Sequence, residues 1–181
     1  MKTTSKPHHM IATCRALYLA TLAGFFSLST HSAHAVNWVG GVDGAWETGA
    51  NWGGSVPSAT DLAVFTGTES AIVSDSQTVG RVNVGSASVV GDSSVTISSG
   101  GTLTFNTGSN YRLRQIWGGS GGTGTSTINV TGGTLNAYDG VDVGGGELGQ
   151  DAAFNVTGGG TATITNGNFD YTSTTAFTPG G

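Results

Sequence analysis

Two arginines and two aspartates have the side-chain types best suited to chemistry. Arg112 and Arg114 are alternate residues of one predicted strand, so both face the same side of it. Beside Asp139 or Asp142 they could bind an acidic sugar, since a polysaccharide lyase needs a base near a cation. In the other interpretation, the arginines face solvent and offset a strongly acidic surface.

A short acidic, glycine-rich stretch suggests a second chemistry. Residues 145–151, with the sequence GGELGQD, weakly resemble a calcium-binding β-roll repeat, and Asp139 and Asp142 lie just upstream. Oxygen ligands suit a hard cation such as Ca²⁺. However, the spacing is off by one residue, and the equivalent stretch 118–125 contains no aspartate. We therefore expect solvated turn acids and no metal site.

The aromatic residues suggest a third chemistry, because aromatic rings stack on the apolar faces of sugars. Trp38, Trp46 and Trp52 are clustered near the start of the chain, and such a cluster also suits the plugging of an open core. A weak ligand-binding set follows from the arginines and the later aromatics: Arg112, Arg114, Trp117 and Tyr138.

The residue types that are missing exclude several functions. Beyond Ala35 the sequence has no His, Cys, Met or Lys. It therefore cannot build a Ser-His-Asp or Cys-His centre, and it lacks the ligands that zinc favours. We predict no enzyme activity, no catalytic residues and no cofactor.

The region beyond Ala35 has three arginines against eleven acidic residues, a net charge of −8. This charge disfavours binding to nucleic acid or to an anionic membrane.

Residues 1–35 have the pattern of a secretory signal peptide. Lys2, Lys6 and Arg15 form a basic region, a mainly apolar stretch follows at 16–30, and Ala33-His34-Ala35 is a small-residue cleavage site. Cleavage is expected before Val36. The apolar stretch is too short for a comfortable membrane span, so we expect an exported chain that does not span the membrane after cleavage.

The remaining sequence repeats a short theme of alternating apolar residues followed by glycine. Asn129–Gly133 and Asn155–Gly159 share the sequence NVTGG at an ungapped offset of 26 residues. A period of this size predicts stacked units. β-Branched residues dominate the runs between glycines, which favours strands. The predicted strands are 71–73, 79–84, 95–97, 103–105, 128–130, 141–143, 154–156 and 161–164.

These patterns predict an all-β fold, a right-handed parallel β-helix with an N-terminal tryptophan-rich cap. A β-sandwich or small barrel is the alternative. Alternate residues should share one interior, namely Val82, Val84, Val95, Ile97, Leu103, Phe105, Ile128, Val130, Phe154 and Val156. Asn129 and Asn155 should stack at corners and share hydrogen bonds. The expected organisation is a signal peptide (1–35), a capping segment (36–70), coils (71–167) and a frayed or truncated tail (168–181).

Several motifs resemble a known class of exported proteins. The pattern W-x-G-G…W-x-x-x-x-N-W…P-x-x-x-D-x-A-V-F, from Trp38 to Phe65, is similar to the start of large secreted bacterial proteins with autotransporter-associated β-strand repeats. The units VGRVNVG (79–85) and I-x-V-T-G-G-T-L resemble their repeats. The resemblance implies a right-handed parallel β-helix that is displayed at the cell surface or released. It implies no catalytic residues.

The expected function is that of a structural or adhesive element of a bacterial cell surface or extracellular matrix. Its expected partners are a surface polysaccharide or another cell-surface protein. The alternative, from a different class, is a carbohydrate-active protein on the same scaffold, either polysaccharide-binding or lyase-like.

Overall fold

The computed structural model describes residues 34–85, 91–106, 113–115, 123–144, 150–171 and 177–178. All of them belong to one compact unit, Ser32–Gly181. Most of these residues lie in β-strands. The elements are β1 (Ala35–Asn37), a 3-10 helix (Gly49–Trp52), β2 (Leu62–Phe65), β3 (Glu69–Val73), β4 (Ser76–Val79), β5 (Arg81–Val84), β6 (Ser93–Ile97), β7 (Thr102–Phe105), β8 (Leu113–Gln115), β9 (Gly124–Thr131), β10 (Thr134–Ala137), β11 (Gly140–Val143), β12 (Gln150–Thr157), β13 (Thr161–Ile164), β14 (Asn168–Tyr171) and β15 (Phe177–Thr178).

The strands form three sheets, and the pairings within each sheet are parallel. Sheet A has the order β1-β2-β5-β8-β11-β14, sheet B the order β15-β12-β9-β6-β3, and sheet C the order β13-β10-β7-β4. From β2 onward, successive strands enter sheets A, B and C in turn. Apart from β1, which pairs with β2, the strands pair with those three places before or after them along the chain. The all-β prediction is confirmed.

One interior lies between the three sheets, and it is filled by alternate residues of the strands. Nine of the ten residues that the alternation predicts for the interior are buried. The tenth, Val156, is partly buried and packs against the others. Val130 of β9 and Val156 of β12 are direct partners in a parallel register. The two repeats are therefore stacked side by side and are not joined as a hairpin.

The repeat length differs between the sheets. Asn129 pairs with Asn155, an offset of 26 residues, but Thr134 pairs with Thr161 at 27 and Gly140 with Asn168 at 28. The ungapped alignment predicted from sequence therefore holds in sheet B only. The corner from β12 to β13 and the corner from β13 to β14 each take one additional residue, which the fixed offset of the NVTGG motif does not show.

The prediction of one strand over 79–84 is wrong, because Gly80 separates β4 in sheet C from β5 in sheet A. A Cβ atom at Gly80 would lie 2.7 Å from the Asp61 carbonyl oxygen. The chain passes the preceding turn so closely here that it bends into the next sheet, although valines on both sides favour continuous strand.

Three glycines occupy the equivalent place immediately before the sheet C strands. They are Gly101, Gly133 and Gly160, and a Cβ atom on each would collide with a carbonyl oxygen: that of Val73, Ser98 or Val130, respectively. The chain thus passes directly over the preceding turn, and only glycine allows this approach.

We expect Gly133→Ala to lower the free energy of unfolding by about 1–3 kcal/mol, because the new methyl group overpacks the corner against Ser98 and Ile97. Urea denaturation followed by circular dichroism measures this change. Gly67→Ala is the matched control, since its Cβ would meet only the Glu69 carboxylate at 4.0 Å and should change stability by less than about 0.5 kcal/mol. Equal effects of the two substitutions would contradict the close approach at Gly133.

Candidate functional site

The structure places two of the four predicted ligand-binding residues. Arg112 and Trp117 lie outside the described residues. Arg114 belongs to β8, where its backbone pairs with Asn83 on one side and Asp142 on the other. Tyr138 follows β10, and its hydroxyl accepts a hydrogen bond of 2.8 Å from Asn166 Nδ2.

One column of positions on sheet A combines Arg114 with acidic residues. The register runs from Asn83 through Arg114 to Asp142 and Asp170, and neighbouring strands are about 4.8 Å apart. Asp142 faces outward, since Val141 and Val143 on either side of it are buried. The predicted proximity of Arg114 and Asp142 is therefore present in the backbone register. Opposite charges at adjacent positions of one column, as at Arg114 and Asp142, can stabilise a sheet, and they can also bind a charged sugar.

Asn83, in the same column, is buried although it alternates with the interior valines Val82 and Val84. It is 3 % exposed, and its Oδ1 accepts no hydrogen bond from any described residue. Burial of an amide oxygen without a hydrogen-bond partner is costly, and this sets Asn83 apart from the other polar residues of the column.

The described residues contain no cluster of three or more His, Cys, Asp or Glu side chains that could hold a metal ion. Of the stretch proposed as a weak calcium motif, residues 145–149 lie outside the described part of the chain. Asp139 and Asp142, which lie upstream of it, both have interaction partners.

The three N-terminal tryptophans are buried together. Trp38 and Trp52 are each 4 % exposed and Trp46 is fully buried. The Trp46 and Trp52 rings are 4.7 Å apart between centroids, and Trp38 stacks on Phe65 of β2 at 5.4 Å. Trp52 Nε1 donates a 2.7 Å hydrogen bond to the Trp46 carbonyl oxygen. These rings form part of the core, so they are not available for stacking on a sugar.

A polar network holds the loop that carries these tryptophans. The Asp43 carboxylate accepts hydrogen bonds from the Ala45 amide, Thr48 Oγ1 and Asn51 Nδ2, all between 2.8 and 2.9 Å. The Ala45 amide, then Asn51 and Thr48, lower the pKa of Asp43 because they stabilise its charged form. Asn51 is fully buried and also donates to the Ala45 carbonyl oxygen.

The same loop covers β3, the edge strand of sheet B, and the turn that follows β3. The Gly44 carbonyl oxygen accepts a hydrogen bond from the Ile72 amide, and the Trp46 amide donates to the Ile72 carbonyl oxygen, both at 2.8 Å. Glu47 Oε1 accepts hydrogen bonds from the Ser74 and Asp75 amides, also at 2.8 Å. Edge strands with open backbone groups promote aggregation, and these contacts satisfy part of that edge.

The outward polar residues of sheets B and C form columns across the strands. Of these columns, only the contact between the two asparagines was predicted from the sequence. Asn155 Nδ2 donates a 2.9 Å hydrogen bond to Asn129 Oδ1, so the predicted sharing of hydrogen bonds is confirmed. Both asparagines lie within strands β9 and β12, however, and not at corners as predicted. Thr131 and Thr157 continue the contact between these strands at 3.4 Å.

On sheet C the outward columns are composed almost entirely of hydroxyl residues. In register they are Ser76, Thr102, Thr134 and Thr161, and next to them Thr78, Thr104, Asn136 and Thr163. In the sequence, this surface is indicated only by two pairs of threonines that are two residues apart, one at 102 and 104 and the other at 161 and 163. These pairs become one surface only when the register joins the strands.

No protein-family model, curated protein or solved structure matches this chain. Within the described residues, no helix is long and apolar enough to cross a membrane.

The pKa of Asp43 leads to a prediction about acid stability. Because this pKa is lower in the folded protein than in the unfolded chain, the carboxylate stabilises the fold fully above its unfolded pKa of about 4. That contribution is lost as the pH falls through the lower, folded pKa. We expect Asp43→Asn to make the free energy of unfolding less dependent on pH between about pH 6 and pH 3.

Urea denaturation at a series of pH values measures this difference. Asp151→Asn, which removes an exposed aspartate on sheet B, is the control for the loss of one negative charge. If the curves of the wild-type chain and Asp43→Asn stay parallel over the acidic range, the Asp43 network does not contribute as the geometry indicates.

Proposed function

We propose that this chain is a right-handed parallel β-helix that serves as an exported structural or adhesive element of a bacterial cell surface or extracellular matrix. The observation that carries the proposal is the cyclic order of the strands. From β2 onward, each run of three strands supplies one strand to each sheet and pairs in parallel with the next run. The right hand follows from the strong preference of crossovers between parallel strands.

The packing supports a scaffold role. Each set of three strands is covered by its neighbours, so stability spreads along the stack and needs no disulfide. The N-terminal end is filled by Trp38, Trp46 and Trp52 against Phe65, which supports the interpretation of residues 36–70 as a cap. The outward faces are polar and mixed, as a surface element in water requires.

Export is proposed from the first 35 residues and from the resemblance to autotransporter-associated repeat proteins. Trp38, Trp46, Trp52 and Phe65, which carry the opening motif of that resemblance, are the residues that contact one another in the core. The motif thus has a physical basis, because its aromatic positions pack together. No catalytic residue is part of this proposal.

Export is tested by expressing the full chain in a Gram-negative bacterium and measuring the intact mass of the product. We expect the purified protein to begin at Val36 and to be found outside the cytoplasm. A variant with Ala33→Lys and Ala35→Lys is the control, since large charged residues block the small-residue cleavage site. A wild-type product that keeps Met1 and stays in the cytoplasm would contradict export.

The second candidate is a carbohydrate-active protein, and the adjacent register of Arg114 and Asp142 on sheet A favours it. A screen of acidic and neutral polysaccharides separates the two functions. For the structural element we expect no release of reducing or unsaturated sugar ends. Turnover that is lost in Asp142→Asn but kept in the control Asp151→Asn would replace the structural proposal with the enzymatic one.

A further inference from the structure

The outward face of sheet C is a regular two-dimensional array of hydroxyl groups. Six of its eight positions are threonine, and the other two are Ser76 and Asn136. Neighbouring strands repeat at about 4.8 Å, and residues two apart along a strand repeat at about 6.6 Å. The branched Cβ of threonine restricts its rotamers, so the array is held in place by the sheet below it.

The array is uncharged although the protein is strongly acidic. None of the eight outward positions carries an acid or a base. The outward faces of the other sheets differ, since sheet A has Arg81 and Asp142, and sheet B has Asp151 and the exposed side chain of Ile72. Sheet B also has two adjacent columns without charge, but only two of their eight positions are threonine, against six of eight on sheet C; the sheet B positions are Ser70, Ser94, Thr127, Ala153, Ile72, Thr96, Asn129 and Asn155.

These features favour a crystalline ligand over a soluble one. A small ligand in solution contacts only a few of the eight positions, so it gains little from a spacing that repeats over the whole face. A crystal surface meets all the hydroxyl groups at once, and its molecules are already immobilised, so little entropy is lost on contact. A soluble or fibrous polysaccharide would be expected to use aromatic stacking, and no aromatic residue lies at these eight positions.

We propose that the outward face of sheet C binds the surface of ice. The prism faces of hexagonal ice expose rows of oxygen atoms with two perpendicular repeats of about the size of those on sheet C. Each threonine hydroxyl can donate and accept a hydrogen bond, and its methyl group fills the space between rows. An ice surface is uncharged, so the uncharged face is its electrostatic complement. This inference does not depend on the proposed surface role or on export.

The test is ice-affinity partitioning of the purified full chain, with inhibition of ice recrystallisation as a second readout. We expect the wild-type protein to enter a slowly growing ice front and to keep ice grains small. Thr104→Lys, at the centre of the array, should lower the fraction of protein in the ice by about tenfold, because an ammonium group must lose its hydration to contact the crystal.

Thr127→Lys is the matched control. Thr127 also faces outward from an inner strand, between Ser126 and Ile128, but it lies on sheet B. It should leave partitioning unchanged, and circular dichroism checks that both variants keep the strand signal of the wild type. A Thr104→Lys variant that fails to fold is replaced by Thr104→Tyr, which adds bulk to the same position without charge and should reduce partitioning in the same direction.

Three results would overturn the proposal. The wild-type chain could be excluded from ice like an ordinary soluble protein. The substitutions on sheets B and C could reduce partitioning equally, which would place the contact elsewhere. The chain could bind insoluble cellulose or chitin through Thr104 and leave ice unaffected, which would assign the face to a polysaccharide. None of these results changes the cleavage and turnover experiments that test the proposed function.

Discussion

The whole structure depends on one interaction, the parallel, in-register pairing of strands that lie three places apart along the chain. It aligns residues with the same role into columns. Valine, isoleucine, leucine and phenylalanine columns fill the interior, and hydroxyl and amide columns face outward. A shift of one residue in any strand would exchange its two faces, so the corners between strands must have the correct length. Gly101, Gly133 and Gly160 make this possible, because the backbone passes over the previous turn with no room for a side chain.

A stack of this kind has two ends, and the described residues treat them differently. At the N-terminal end, three buried tryptophans cover the interior, and backbone groups of the same loop pair with Ile72. Near the other end, Val156, Ala162 and Ile164 are only partly buried. Each repeat buries its apolar face only against a neighbour, so the last described strands have the least coverage. At the N-terminal end, the Asp43 network has a structural role, since it orients the loop that carries Trp46 and Trp52.

Much of the interior could be predicted from the sequence, because alternation is a local property. Val95 and Ile97, or Leu103 and Phe105, must face one side wherever their strand lies. The NVTGG motif predicted the pairing of Asn129 with Asn155 and their shared hydrogen bond. The sequence did not show that the offset grows to 28 residues by β14 or that Gly80 separates two strands. These features depend on how closely one turn passes over another, which no local pattern records.

The sequence by itself determined the strand-forming character, the repeat, the acidic charge and the absence of His, Cys and Lys beyond Ala35. Only the tertiary structure decided that the three N-terminal tryptophans are core residues, that Arg114 lies beside Asp142, and that hydroxyl groups from four strands form one uncharged face. The physical reason is distance along the chain. Residues two apart are related by the geometry of a single strand, but residues about 26 to 33 apart become neighbours only through the lengths of all the corners between them.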